Sequence, residues 1–280
     1  MISGATSGFG IEWLYEIDKE KKAEFFVLAR NEEKFNCLVK GRPLKNIAHF
    51  VECDFLSFKS IDLAVERIAS LTDNIDLLIN NAGVWSGEDI EYSQDGVEVT
   101  FAVNQIAPYV LTGKLLPLLG KSIKSKIINT ASFRHADAKV DKEDIELKNN
   151  FNAELAYCNS KLFSILFTRS LAKYLSGSNI SINCFDPGIV DTPMLKKGFP
   201  TKVSFLYPIV RKFIARSPKK GAETGVFLSD LEFSKNVSGE YFKDKKIKKV
   251  SALAEDESLG EWLWDKCESL SGYSYPDLVK

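Results

Sequence analysis

Tyr157 and Lys161 stand four residues apart in "YCNSK". On a helix that spacing puts both side chains on one face. An ammonium beside a phenol favours the phenolate and draws its pKa down from about 10. A general acid–base for alcohol or carbonyl chemistry needs such a group. Tyr–Lys pairs also occur at this spacing on solvent-facing helices, so the pair by itself decides little. A second feature lies at the start of the chain, Gly4-Ala5-Thr6-Ser7-Gly8-Phe9-Gly10. Glycine lets backbone approach a pyrophosphate closely, and a helix starting in such a turn offers unpaired N–H groups and its positive end. Gly-rich turns often do nothing more than turn, and this motif too needs support.

The elements that would position these residues are legible from hydrophobic pattern. Residues 23–30, 46–54, 74–83, 125–132 and 179–188 are short β-branched or aliphatic runs ending in small or polar residues, as buried strands do. Helical patterns follow Gly10 and cover residues 60–71, 97–119 and 153–176, with Ser57 and Ser60 as candidate caps of the first of these three. Strand–helix alternation over the first 190 residues predicts an α/β fold, a Rossmann-type doubly wound parallel sheet flanked by helices on both faces. Residues 1–280 read as a single domain: a dinucleotide-binding and catalytic core over 1–190, a lid over 191–220, and C-terminal helices with a last strand over 221–280. In that last part, 222–231 reads as a helix, 238–242 as a short strand, 244–249 as a solvated turn and 257–270 as an amphipathic helix. Met1 and Ile2 can supply only the last two residues of a first strand. That strand therefore reads as truncated, with the natural protein expected to start upstream or this chain expected to be weakly stable and a weak cofactor binder.

Composition excludes several classes. A formal net charge of −1 gives no support to nucleic-acid binding. The five cysteines form no C-x-x-C pair and only two histidines occur, so no metal site is expected and the thiols read as free in a reducing compartment. No apolar run reaches the roughly 18 residues of a spanning helix, and Met1 runs at once into the glycine turn rather than into a signal peptide.

Taken in order, the pieces support one another. The glycine turn comes first and "NNAG" (80–83) follows a strand. Asn104 lies inside the long helix after it, Ser132 ends another strand, Tyr157 and Lys161 follow, and "DPGIVDTP" (186–193) closes a further strand. The chain resembles the short-chain dehydrogenase/reductase family over nearly its whole length. Residues 95–112, 129–135, 156–172 and 237–242, with Leu263 and Trp264, are most similar to its retinol-dehydrogenase-like branch. The resemblance implies an oxidoreductase interconverting a carbonyl and an alcohol, with Tyr157 as acid–base. It implies that Lys161 holds the nicotinamide ribose and depresses the Tyr157 pKa, that Ser132 bonds the substrate oxygen, and that Asn104 holds a water in a proton relay to Lys161. Thr130 is the rival of Ser132 as the nearest upstream hydroxyl. The same resemblance assigns the cofactor site to Gly4, Thr6, Ser7, Gly8, Phe9, Gly10, Asp54, Phe55, Asn81, Ala82, Gly83, Pro187, Gly188, Val190 and Thr192, besides Asn104, Tyr157 and Lys161. At the end of the second strand an acidic residue would bind the 2′-hydroxyl of NAD, whereas Arg30 can pair the 2′-phosphate of NADP(H), the expected cofactor.

The segment 194–217 is apolar, with Met194, Leu195, Phe199, Val203, Phe205, Leu206, Tyr207, Ile209, Val210, Phe213 and Ile214. It predicts a lid over a lipophilic small-molecule substrate. Arg211, Lys212 and Arg216 leave a peripheral membrane contact through residues 203–214 open beside the plainer reading, a lid helix packed on its own domain. A homodimer also stays open, and the location is expected to be cytoplasmic or peripheral to an intracellular membrane. His135 reads as a substrate contact or a loop hydrogen bond, Cys158 as packing, and Trp85 and Trp262 as core or rim. The alternative to an enzyme is a catalytically idle NADP-binding subunit with a regulatory or scaffold role.

Overall fold

Strand residues that point alternately to two covered faces must be apolar at every position. The computed structural model describes residues 1–20, 22–199, 205–230 and 237–276. Among these residues the strands are β1 (Ile2–Ser3), β2 (Phe25–Ala29), β3 (Ala48–Glu52), β4 (Leu77–Asn80), β5 (Ser125–Thr130), β6 (Ile180–Asp186), β7 (Tyr241–Lys243) and β8 (Lys246–Ile247). They form one sheet in the order β3-β2-β1-β4-β5-β6-β7-β8. β1 to β7 are parallel, and β8 alone among them returns antiparallel. The expected strands are present with their ends trimmed. The solvated turn expected over 244–249 is instead a hairpin. Asp244 and Lys245 both take positive φ, 51° and 62°, as a two-residue connection of right-handed twist requires, and β8 follows with both side chains exposed.

β1 is short but central. Ile2 pairs with Val27 of β2 and with Ile79 of β4, and Ser3 with Leu28. The amino group of Met1 is buried and donates to the Leu77 carbonyl at 2.7 Å.

The two faces have separate cores. Phe26, Leu28, Leu78 and Ile127 point to one, beneath α3 (Phe58–Ala69), α5 (Ala107–Leu119), α6 (Ala153–Tyr174) and α11 (Glu257–Ser271). Phe25, Val27, Ile79 and Ile128 point to the other, beneath α1 (Gly8–Glu20), α2 (Glu32–Gly41) and α9 (Pro218–Leu228). Ser57 caps α3 by accepting the Ser60 N–H. Ser60, the other candidate cap, instead accepts the Asp54 N–H on its hydroxyl.

The continuous helix expected over 97–119 is composite. It runs as α4 (Val99–Phe101), a π-helical turn over Ala102–Ile106, and α5. The buried Glu98 carboxylate starts it by accepting the Thr100 and Phe101 N–H groups at 2.7 Å each. The wide turn buries all five of its residues, Asn104 among them. Such turns recur where a helix must re-aim a side chain.

Within the lid, α7 (Pro193–Lys197) and α8 (Tyr207–Phe213) are short, and Val203 lies outside the described residues. Phe205 is 73% and Phe213 75% exposed, with Ile209 and Ile214 also open to solvent. Burial of α8 on its own domain is therefore not what the described residues show. Arg211 anchors the segment to Asp191 at 2.9 Å. α10 (Ala252–Glu255) and α11 close the other end, where Tyr109 of α5 is buried under Trp264, Tyr273 and Tyr275.

Trp13 joins α1 to α9 and the sheet. It is fully buried, meets Phe185 edge-on at 5.2 Å, and donates to Ser229 Oγ at 2.9 Å. Trp13→Ala should lower the unfolding free energy by about 3–5 kcal/mol in urea titration, because it opens a cavity and removes the donor to the buried Ser229 hydroxyl. A loss under about 1 kcal/mol would show that this face of the sheet does not depend on the indole.

Candidate active site

The strand order reverses between β1 and β4, and ligands of open α/β sheets bind where the following chains diverge. The glycine turn leaves β1 there and Asn81-Ala82-Gly83 leaves β4 beside it. Gly4 has φ +69° and Gly8 φ +60°. A Cβ on Gly4 would lie 2.8 Å from the Ala82 backbone, and one on Gly10 would collide with the Gly4 carbonyl. The glycines are thus required by this close packing as well as by any ligand. Asn81 locks the arrangement by donating to the Ser3 and Gly4 carbonyls, both at 3.2 Å, and accepting from the Thr130 hydroxyl at 3.2 Å. Ser3 Oγ accepts the N–H groups of Asn81 and Ala82 at 3.0 Å each. Ser3 carries no motif signal and was not among the expected site residues.

Across the gap, Gly188 (φ +79°) donates its N–H to Asp186 Oδ1, and the buried Asp186 pairs with Lys243 at 2.9 Å. This sets the path of Pro187, Gly188 and Val190, the last bridged to Arg216. Thr192 caps α7, and its Cγ2 stands 3.2 Å from where a Gly8 Cβ would be. The loop after β6 therefore faces the glycine turn, with Thr6 partly buried and Ser7 exposed in that turn. Phe9 packs on Phe185 in one core, and Phe55 packs separately against the other, so both are packing residues first. Arg30, at the end of β2, is exposed, with its guanidinium 4.0 Å from Asp54 Oδ1 at the end of β3.

Ser132, Tyr157 and Lys161 come together at the ends of β5 and α6. Ser132 caps a 3₁₀ turn over Phe133–Asp137, accepting the Arg134 N–H at 3.2 Å, and its hydroxyl lies near enough to the Tyr157 phenol to favour its ionised form. The Thr130 hydroxyl is turned to Asn81, away from this pair, which separates the two candidate hydroxyls. Lys161 is buried and donates to the Thr130 carbonyl at 3.1 Å. Gly83 sits between Asn104 and Lys161: a Cβ on it would lie 3.3 Å from Asn104 Oδ1 and 3.8 Å from Lys161 Nζ. Asn104 accepts the Val84 N–H at 2.8 Å and donates to the Val84 carbonyl at 2.9 Å and to Ser160 Oγ at 3.0 Å.

The electrostatics correct one expectation. Burial pushes the Tyr157 phenol well above its ordinary value, and the Ser132 hydroxyl offsets this only in part. The net shift is upward despite Lys161, whose Nζ lies over the ring, 5.4 Å from the centroid, and whose own ammonium burial draws down to about 8.

Trp85, expected in the core or at the rim, stacks on Tyr157 with centroids 4.3 Å and planes 17° apart. Its place two residues beyond Gly83 was the available signal. Trp262 is partly buried against the core. His135 makes the loop hydrogen bonds rather than meeting the gap. Its Nδ1 donates to the Ser132 carbonyl at 2.7 Å, and its Nε2 accepts the Ser251 N–H at 3.2 Å, which fixes this tautomer. Burial pushes the Cys158 thiol up, consistent with packing.

Lys161 has a clear linkage signature. Its pKa is lower folded than unfolded, so the unfolded chain binds more protons between about 8 and 10.5, and stability gains a positive slope with pH there. Urea unfolding of the cofactor-free protein at pH 8 and pH 10 should show this gain in wild type relative to Lys161→Met. Parallel pH dependence in the two proteins would contradict the buried ammonium.

A family model described as short chain dehydrogenase matches residues 1–202. Human retinol dehydrogenase 13 is 31% identical over 99% of this chain and 86% of its own length. Human retinol dehydrogenase 14 is 33% identical over 79% of this chain and 66% of its own length. Among solved structures, NADPH-bound carbonyl reductase from chicken fatty liver superposes with a TM-score of 0.66 at 22% identity, covering 89% of this chain and 97% of that one. A 3-ketoacyl-(acyl-carrier-protein) reductase from Brucella melitensis complexed with NADH gives 0.65 at 23% identity, covering 86% and 93%. These structures share the fold. Among the described residues no helix is long and apolar enough to cross a membrane. With the family model spanning residues 1–202 and retinol dehydrogenase 13 spanning nearly the whole chain, the protein belongs to the short chain dehydrogenase family, in its retinol-dehydrogenase-like branch of alcohol/carbonyl oxidoreductases.

Proposed function

We propose that the chain is an NADP(H)-dependent oxidoreductase interconverting a carbonyl and an alcohol on a lipophilic small molecule. The observation that carries this is the meeting of Ser132, Tyr157 and Lys161 at the carboxyl edge of the sheet, beside Gly83.

The residues present fit a dinucleotide. The glycine turn has room for backbone approach but none for a side chain, and it opens α1, whose N-terminus suits a pyrophosphate. Lys161 is a buried ammonium whose three donors include one bond to Thr130, a fit for ribose hydroxyls. Asp54 and Phe55 would border the adenine, Asn81, Ala82 and Gly83 the adenosine side, and Pro187, Gly188, Val190 and Thr192 the carboxamide. The shared fold accommodates both NADPH and NADH in solved structures, so the preference for NADP(H) rests on Arg30. Its guanidinium is exposed and only loosely engaged by Asp54, and it follows β2 where an NAD site would carry a carboxylate.

When bound, the nicotinamide supplies hydride in reduction and accepts it in oxidation. Ser132 Oγ and Tyr157 Oη donate to the substrate oxygen as charge develops on it. A raised phenol pKa keeps the Tyr157 proton in place until that oxygen becomes basic enough to take it. Lys161, titrating near 8 above the same ring, then offsets the phenolate and returns a proton. Asn104 Oδ1 keeps a second lone pair on the side of Gly83 that Lys161 Nζ shares, which is where we place the relay water. The apolar lid supports a lipophilic substrate, with retinol the first alcohol to test in view of the named relatives. Exposed Phe205, Ile209, Phe213 and Ile214 beside Lys212 support a peripheral membrane contact through the described part of the lid.

Wild type should oxidise NADPH with at least one member of a panel of retinoids, steroids, quinones and fatty aldehydes. Tyr157→Phe should lose at least about 100-fold in turnover while still binding NADPH. Turnover surviving in the variant would remove Tyr157 from its role, and binding without turnover in wild type would favour a non-catalytic NADP-binding protein. Separately, Arg30→Asp should weaken NADPH much more than NADH in binding titrations, whereas an equal loss would refute the 2′-phosphate assignment.

A further inference from the structure

The loop that carries Trp85 is pinned on both sides of the indole. Val84 gives its N–H and its carbonyl to Asn104, and the Ser86 hydroxyl accepts from the buried Thr100 hydroxyl at 2.9 Å. Asn104 also reaches Ser160 Oγ, which donates to the Tyr157 carbonyl at 2.8 Å. The π-helical turn therefore ties the Trp85 loop to the helix bearing Tyr157, and the stacked rings are held from both backbones.

The indole has a second neighbour. Gly198 ends α7 at φ −84° and ψ 5°, torsions open to any L residue. A Cβ there would nevertheless lie 2.5 Å from Trp85 Cε3 and 2.6 Å from Cδ2. Glycine is needed at 198 for contact with the ring, not for its backbone freedom. From the same short helix, Met194 Cε comes 3.7 Å from the Cβ position of Gly83. The first turn of the lid thus touches both the indole and the edge of the site.

We infer that Trp85 is a positioning residue, a clamp between α7 and Tyr157 that passes the placement of the lid on to the phenol. The inference rests on the reading of Tyr157 as acid–base. With α7 seated, the indole fixes the Tyr157 ring and keeps water from its face, so the phenol holds its proton for the substrate oxygen. With α7 lifted, the indole loses its backing and the ring becomes free to turn and hydrate. Proton donation is thereby coupled to lid closure.

A double-mutant cycle tests the clamp without requiring turnover. Gly198→Ala should lower the melting temperature of the cofactor-free protein, because its methyl collides with the indole. In the Trp85→Leu background the same change should be neutral or slightly stabilising, because a compatible glycine replacement lowers unfolded-chain entropy. Ultraviolet titration, with Tyr157→Phe as the subtraction control, should show the Tyr157 phenol ionising at lower pH in Trp85→Leu than in wild type. In turnover, Trp85→Leu should lose about tenfold or more in kcat with the KM for NADPH unchanged, and Trp85→Phe should recover most of it. Equal melting losses from Gly198→Ala in both backgrounds, or an unshifted phenol, would overturn the clamp. A wild type inactive on every carbonyl would instead overturn the proposed function and leave those two measurements to decide the clamp.

Discussion

Three strand ends are tied together by two side chains, and the site exists because of that knot. Asn81, just past β4, bonds the Ser3 and Gly4 carbonyls at the end of β1 and the Thr130 hydroxyl at the end of β5. Ser3 answers by accepting two N–H groups from the chain after β4. These are buried or half-buried groups, so leaving one of them unpaired carries a desolvation cost besides the lost bond. The knot holds the glycine turn against Ala82 at a distance that admits no Cβ, and it fixes the Thr130 carbonyl that receives Lys161. Changing Asn81 would therefore disturb the glycine-turn backbone and the placement of Lys161 together.

Burial governs the electrostatics that follow. A pairwise picture of an ammonium beside a phenol predicts a depressed tyrosine pKa. In the folded chain both groups are buried, and loss of solvation moves each toward its neutral form: the phenol upward, the ammonium to about 8. The apolar walls that cause this include the indole of Trp85, a residue with no ionisable group. The site is thus poised to keep a proton on Tyr157 rather than to release one, which suits donation to a carbonyl oxygen on which charge is growing.

Asn104 shows how one local irregularity serves several elements. A regular helix over 97–119 would carry its side chains along a single stripe. The π-helical turn instead lets one carboxamide bond Val84 on one side and Ser160 on the other. The loop after β4 and the face of α6 that carries Tyr157 and Lys161 are joined through it. At the opposite end of the molecule, Tyr109, Trp264, Tyr273 and Tyr275 close the α5–α6 face by aromatic packing. The buried rings there contrast with the solvent-exposed apolar residues of α8 in the lid.

The sequence by itself determined what local periodicity and chemical type encode. Consecutive apolar runs marked the buried strands, because both faces of a parallel sheet are covered, and the four-residue step from Tyr157 to Lys161 marked a shared helical face. Glycine spacing marked the turn after β1, and the ordered motifs marked the family. What only the tertiary structure decided depends on neighbours distant in sequence. Whether Ser132 or Thr130 turns toward Tyr157 was settled by Asn81 claiming the Thr130 hydroxyl. The stacking of Trp85 on Tyr157 needed three segments, around residues 85, 157 and 198, to meet. The β7–β8 hairpin was hidden because Lys245 stands where such a turn usually carries glycine. The pKa values were out of reach of sequence because desolvation is a property of the whole surrounding shell, and no spacing of two residues encodes it.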